Sequence, residues 1–396
     1  MGHFRNGTPT AGLEIISGTL PLHLEAKQEA MKGFIRHRVR NTEQLDSWDG
    51  FVENRVQKGH LYHNKQYLAL AGIDYNVNYD NIPRELNWVK NFKVEDNKQG
   101  WDVDTGDLQA YTDGSRINDK GGAGVSFVHR FDDPINHSFY LGADATVFQA
   151  EIFAIYKAAE LALTILNNSP YMNRRLVILS DSQAAIQAVN NKYIKNKTVK
   201  NAVNMLNLLG TTTDVTLLWI KAHVGHSGNE MADNLAKEGA GGAGESIILP
   251  TANTVTNLKI KDHLIKEWRA TWANLDACRQ TKIFFNDVNI NFSKKLVRLN
   301  RKDYSKVVRW VTGFAFLRRH NFITRMSHTP TCRYCDQDDE TSSHIITQCP
   351  NLIWLRADCF KQYTMHAVNP EWRPFELVRY LRAPPVANLE DPEQVE

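Results

Sequence analysis

Hydrophobic and polar positions change period several times along the chain. Residues 1–60 open on Gly2, Gly7 and Pro9, then repeat apolar residues at roughly helical spacing from Leu22, which predicts a helical segment. Residues 61–105 are polar, Asn-rich and dotted with aromatics without a period, so a linker of low order is expected there. From residue 107 the pattern becomes α/β. Leu108–Thr112 reads as a strand, Gly121-Gly-Ala-Gly-Val-Ser-Phe-Val-His as a turn and second strand, and His137–Leu141 as a third. Val147–Leu166 has apolar residues at 148, 152, 155, 156, 159, 163 and 166, a helix period. Leu176–Leu179 is wholly apolar, as in a buried central strand. Ser182–Val189 and Lys195–Leu209 read as helices, Val215–Ile220 as a last strand and Gly228–Gly239 as a last helix. Hairpins first and crossovers later predict an α/β fold over 107–241, a mixed five-stranded sheet flanked by helices.

Beyond it, residues 242–254 continue a Gly-rich linker, and 255–329 read as basic helices with Trp268, Trp272 and Trp310 on apolar faces. Residues 330–352 hold a Cys/His cluster and 353–382 read as helical. Residues 383–396 form an acidic tail, expected to be disordered. No long internal repeat is visible.

Length and composition refine this only locally. A chain of 396 residues with 42% hydrophobic content suits two or three domains with ordinary cores. The net charge of +3 says little about partners. Residues 107–240 are nearly balanced, with 12 Lys/Arg against 13 Asp/Glu, whereas residues 294–325 carry 10 Lys/Arg against Asp303 alone. A basic stretch beside an acidic domain fits a polyanionic substrate; a solvated helix face is the plainer meaning. No signal peptide is apparent, and no apolar run approaches the ~18 residues of a membrane helix. No membrane partner is expected, and an intracellular location, nucleus or cytoplasm, is. Oligomeric state is not legible.

Four acids stand in contexts that aim a carboxylate at one point. Asp113 ends the first strand in Tyr-Thr-Asp-Gly-Ser, Glu151 lies in the first turns of the long helix, Asp181 ends the buried strand, and Asp233 lies in Gly-Asn-Glu-Met-Ala-Asp. Carboxylates gathered without a basic partner raise each other's pKa, and divalent cations relieve that, as in a two-metal phosphoryl-transfer site. The segment Trp219-Ile-Lys-Ala-His-Val-Gly-His-Ser-Gly-Asn-Glu-Met-Ala-Asp adds an imidazole on a glycine-bearing loop, placed to move protons.

Together these motifs resemble a type 1 ribonuclease H domain over residues 108–238: Thr-Asp-Gly-Ser, the helix Glu, Ser-Asp-Ser-Gln, and Trp-x3-His-x2-His-Ser-Gly-Asn-Glu-x2-Asp. The resemblance implies a ribonuclease H-like fold with Asp113, Glu151, Asp181 and Asp233 as metal-binding catalytic acids and His223 as the catalytic histidine. It gives His226, Gly228 and Asn229 a loop-shaping role, and Ser115, Ser182 and Gln183 contacts to the nucleic-acid strand. The implied activity is endonucleolytic hydrolysis of the RNA strand of RNA–DNA hybrids, with 5′-phosphate and 3′-hydroxyl products. The implied cofactors are two Mg²⁺ ions, hard cations for hard carboxylates, with Mn²⁺ as a substitute. Some members grip the hybrid with a basic helix-and-loop insertion. Here Lys192-Tyr-Ile-Lys-Asn-Lys-Thr-Val-Lys runs directly into one helix, so the grip is weaker or supplied elsewhere.

Five cysteines, three of them clustered at 332–349, argue against a disulfide framework and for a metal site in a reducing compartment. Cys332-x2-Cys335-x8-His344-x4-Cys349 offers Zn²⁺ a closed tetrahedral shell, structural rather than catalytic. Arg318, Arg319, Arg325 and Arg333 lie nearby, and Arg318 and Arg319 are candidate nucleic-acid contacts. The order of these parts, with Leu-Arg-Arg-His before the cluster and Thr8-Pro-Thr-Ala-Gly-Leu-Glu-Ile-Ile near the start, resembles the carboxy-terminal end of a non-LTR (Jockey-like) retrotransposon polyprotein. No polymerase or endonuclease accompanies it, so a truncated element or a derived host gene is expected. The alternative is a non-catalytic nucleic-acid-binding protein acting through the basic helices and the zinc knuckle; a structure-specific DNA nuclease is a weaker third.

Overall fold

The computed structural model describes residues 9–40, 66–74, 78–96, 106–130, 132–167, 174–222, 225–363 and 373–390. Two compact units emerge, Ala30–Ile260 and Met1–Glu29 with Lys261–Glu396. In chain order the elements are α1 (Thr10–Ser17), α2 (Leu22–Arg40), β1 (Asn81–Leu86), β2 (Lys93–Asp96), β3 (Leu108–Ile117), β4 (Lys120–Val128), β5 (Ile135–Tyr140), α3 (Val147–Leu166), β6 (Leu176–Ser180), α4 (Gln183–Asn190), β7 (Tyr193–Asn196), α5 (Lys197–Leu209), β8 (Val215–Trp219), α6 (Ser227–Ala240) and β9 (Glu245–Ser246). Then follow α7 (Asn253–Asn274), α8 (Arg279–Phe284), α9 (Ile290–Leu296), α10 (Arg301–Thr312), α11 (Arg318–Ile323), α12 (Ile353–Phe360), α13 (Pro374–Arg382) and α14 (Pro384–Ala387); α1 and α8–α14 belong to the second unit.

The first unit is built on a seven-stranded mixed sheet, order β2-β8-β6-β3-β4-β5-β9. β3, β4 and β5 form an antiparallel meander, while β6 and β8 join β3 in parallel. The five expected strands are its centre. Two more extend it: β2 pairs in parallel with β8, and β9 with β5. The expected linker at 61–105 thus contributes structure. β2 completes an edge, and β1 forms an antiparallel ribbon with β7, just where Lys192 onward was expected to run straight into a helix. Each of these short strands packs one apolar side chain in or against the core, Ile82, Val94 and Ile194, and backbone pairing supplies the rest, so periodicity did not reveal them.

β6 is buried on both faces, as its unbroken apolar run requires. Leu176 and Ile178 join the main core, and Val177 and Leu179 join a smaller cluster with Leu218, Ile220 and Tyr111. α3 covers the main core and starts with a capping box: the Thr146 hydroxyl accepts from the Gln149 amide, and the Gln149 side chain accepts from the Thr146 amide, both at 3.2 Å. The glycines at 121–124 do not make the expected turn. That turn is Asn118–Asp119, both with positive φ, and Gly121–Gly124 lie inside β4. The reason is close approach: a Cβ on Gly124 would run into the Ala232 carbonyl and lie 2.6 Å from the Ala236 nitrogen of α6.

The second unit is helical. Trp268, Trp272 and Trp310 are buried in it, and the Trp272 indole donates to the Phe285 carbonyl at 2.9 Å. The tail departs from expectation as far as residue 390. α14 and a 3₁₀ turn at Asn388–Glu390 bury Val386 and Leu389, and Glu390 pairs with Lys306 and Arg309 of the basic stretch. Apolar anchors and opposite charge order what composition alone marks as disordered. Among the described residues no helix is long and apolar enough to cross a membrane.

Candidate active site and metal centre

β3 and β6 are adjacent and in register, with Thr112 opposite Ser180. Asp113 does not end its strand, because pairing with β4 carries β3 on to Ile117, but it lies beside Asp181, which directly follows β6. α3 crosses at this point because residue 114 has no side chain. A Cβ there would collide with the Glu151 amide and lie 2.7 Å from the Ala150 carbonyl carbon. Asp113, Glu151 and Asp181 consequently present carboxylate oxygens all within 4.8 Å of one another.

Their electrostatics are those of crowded acids. Burial, then the Asp113 and Asp181 charges, push the Glu151 carboxyl up to about 9, against a hydrogen bond from the Gly114 amide. Burial, then Asp181, push Asp113 up to about 7. Glu151 Oε2 is buried without a hydrogen-bond partner. Three hard oxygen donors, one of them orphaned, are a donor set suited to a hard divalent cation.

Asp233 approaches from α6 and adds to the upward push on Asp113, while its own carboxylate takes the Lys237 ammonium at 2.5 Å. It adjoins the three-acid cluster and is not among the three within 4.8 Å. His223 lies outside the described residues; His226 is exposed and forms the N-cap of α6 without a side-chain capping bond. Gly228 packs under the Tyr111 ring. Ser115 is half-buried on β3 and Gln183 is exposed at the start of α4. The Ser182 hydroxyl caps α4, accepting from the Ala185 amide at 3.3 Å.

Two contacts were not legible beforehand. The buried Asn229 amide donates to Asp181 Oδ2 at 3.2 Å, so this residue, expected to shape a loop, instead lies in α6 and orients a carboxylate. The Trp219 indole donates to the Asp181 carbonyl at 3.0 Å. Both partners lie far from Asp181 in sequence, and only the fold brings them together.

In the second unit, Cys332, Cys335, His344 and Cys349 also place their ligand atoms within 4.8 Å of one another. Cys332 Sγ is 3.9 Å from Cys349 Sγ, and Cys335 Sγ is 3.3 Å from His344 Nε2. Bonds of ~2.3 Å to a tetrahedral Zn²⁺ put sulfurs about 3.8 Å apart, so the residues fit that ion. The three cysteines are free of disulfides. Asp336, with φ of 53°, closes the Cys-x2-Cys turn. A π-turn at His344–Gln348, in which the Cys349 amide donates to the His344 carbonyl at 2.8 Å, brings the later ligands together. Arg318 and Arg319 serve this loop: the Arg318 amide donates to the buried Glu340 carboxylate at 2.9 Å, and Arg319 pairs with Asp339 at 3.3 Å. Glu340 is also held by Arg333.

The segment that carries the three carboxylates is similar to known proteins. Residues 105–241 match the family model for RNase H. Ribonuclease H of Mannheimia succiniciproducens is 28% identical over 143 residues, covering 34% of this chain and 87% of that protein. Ribonuclease HI of Helicobacter pylori is 28% identical over 144 residues, covering 33% and 91%. The crystal structure of RNase H1 from Halobacterium salinarum aligns with 35% of this chain and 100% of that one, at 22% identity and a TM-score of 0.28. About a third of the chain is thus a ribonuclease H domain, and the protein is an enzyme of that class.

Proposed function

We propose that the chain hydrolyses the RNA strand of RNA–DNA hybrids endonucleolytically, leaving 5′-phosphate and 3′-hydroxyl ends. The observation that carries this reading is the convergence of Asp113, Glu151 and Asp181 within a segment matching the RNase H family. Two divalent cations, Mg²⁺ by donor hardness, would supply the charge neutralisation and Lewis acidity that in-line displacement at a phosphate needs. Asp113, fixed within β3, Asp181, fixed just past the end of β6, and Glu151, fixed on α3, would hold them, with Asp233 completing the set once drawn from Lys237. Asn229 keeps Asp181 aimed. His223 would carry the proton to the leaving oxygen. RNA would be chosen through its 2′-hydroxyls.

The second unit would bind one structural Zn²⁺ through Cys332, Cys335, His344 and Cys349. The order of ribonuclease H domain, Trp-bearing helices and Cys/His site supports derivation from a non-LTR retrotransposon. The test is cleavage of labelled hybrid, duplex DNA and duplex RNA in Mg²⁺, with end-group analysis. Cutting confined to the RNA of the hybrid is expected. Equal cutting of all three, or of DNA alone, would overturn the assignment.

A further inference from the structure

The β1–β7 ribbon presents an exposed aromatic and basic surface that the carboxylate site does not use. Asn87 points inward and braces α4, its amide donating to the Val189 and Asn191 carbonyls at 3.2 and 3.0 Å. Its neighbours point outward: Trp88 and Val89 are each 67% exposed. The Lys192 ammonium lies 4.4 Å from the Trp88 ring centroid, and the Arg84 guanidinium 3.5 Å from that of Tyr193. Beside them is a cleft of about 280 Å³ bordered by Arg84, Asn191, Tyr193, Lys195 and Asn196. Residues 84–90 and 192–200 carry six Lys/Arg and one acid, Glu85, which is paired with Lys200 at 2.7 Å. Lys192 and Lys195 are exposed and form no ion pair among the described residues.

A large indole left in water beside unpaired cations is poor packing and a good polynucleotide platform, because phosphates meet the ammonium groups while a base or sugar covers the ring. Its place in the fold matters. α4 begins two residues after Asp181 and ends at Asn190, whose side chain and carbonyl accept from Lys90. Eight helical residues span about 12 Å, or three to four base steps at ~3.4 Å each.

We propose that the β1–β7 ribbon is a second contact surface for the nucleic-acid substrate, gripping a strand three to four steps from the carboxylates. It rests on the reading that those carboxylates act on nucleic acid. β1 and Trp88, upstream of the residues that match the family, would then join Lys192 and Lys195 in supplying the grip.

The test is equilibrium binding of a labelled RNA–DNA hybrid to the full chain in an Asp181→Asn background, over about 50 to 200 mM salt. Trp88→Ala is expected to weaken binding about 5- to 100-fold, the range of one lost stack, with Trp88→Phe restoring most of it. Lys192→Ala is expected to lower the slope of log affinity against log salt by about 1. Affinity and salt slope matching the parent in both alanine variants would overturn the proposal. Because the comparison is made in a background that does not cut, it fails or succeeds separately from wild-type cleavage.

Discussion

Asn229 on α6 donates its side-chain amide to the Asp181 carboxylate at 3.2 Å, tying the second functional helix to the end of the central strand. Groups that orient a metal-holding carboxylate typically contribute 10- to 100-fold in affinity or activity. Asn229→Ala is therefore expected to lower hybrid cleavage about 10-fold and to raise the Mg²⁺ concentration for half-maximal rate. A metal titration of the cleavage rate checks both.

Crowded acids predict an inverted stability profile for the metal-free protein. Glu151 and Asp113 ionise near 4.5 and 3.8 when unfolded and at about 9 and about 7 when folded. Protonation therefore favours the folded state: the contribution is complete below about pH 4 and is lost as pH climbs through 7 and then 9. In chelator, Tm should fall over that window, and Mg²⁺ should restore it. Glu151→Gln should flatten the slope, which calorimetry at several pH values will show.

Residue 114 has no room for a methyl group. Gly114→Ala forces α3 away from β3 or buckles β3 at its middle, an overpacking cost of about 1–3 kcal/mol or more. Both outcomes separate Glu151 from Asp113. Urea denaturation should show the loss of stability, and cleavage should fall further than the stability loss alone explains.

Asp80 ties the upstream segment to the ribonuclease H domain. It is buried, and its carboxylate accepts from the Thr198 amide at 2.7 Å, the Thr198 hydroxyl at 2.6 Å and the Gln149 amide at 3.1 Å. It caps α5 from outside that helix, since Asn196 makes no capping bond. Asp80→Ala removes the cap and strands buried donors, an expected loss of about 2–4 kcal/mol by denaturant titration of the full chain.

These relationships show what the chain discloses before folding. Asp113, Glu151 and Asp181 were legible because each ends or sits on an element with strong periodicity, and the apolar run 176–180 could only be a central strand. Asn229 was visible as a loop residue, but its bond to Asp181 spans 48 positions. β1 and β2 stayed hidden because Pro83 and the charged Lys-Val-Glu-Asp oppose strand patterns, while β7 and β8 provide the pairing that overrides them. The glycines of β4 mimic a turn because close helix packing and tight turns both call for glycine. Composition likewise could not show that Val386 and Leu389 would find a core.

Zinc and cleavage should separate. Cys335→Ser is expected to lose one bound zinc per chain, measured by elemental analysis, and to lower the melting temperature of the helical unit. Its rate on hybrid should stay within about threefold of wild type at low temperature, where loss of the structural metal costs folding rather than chemistry.

The most direct measurement is the rate at which the full chain cuts a labelled RNA–DNA hybrid in Mg²⁺, beside Asp181→Asn at the same concentration. The three gathered carboxylates predict RNA-strand products ending in 5′-phosphate, and a loss of more than about 100-fold in the variant, beyond what an orienting residue contributes. Wild type and Asp181→Asn cutting equally, or neither cutting above background, would contradict it.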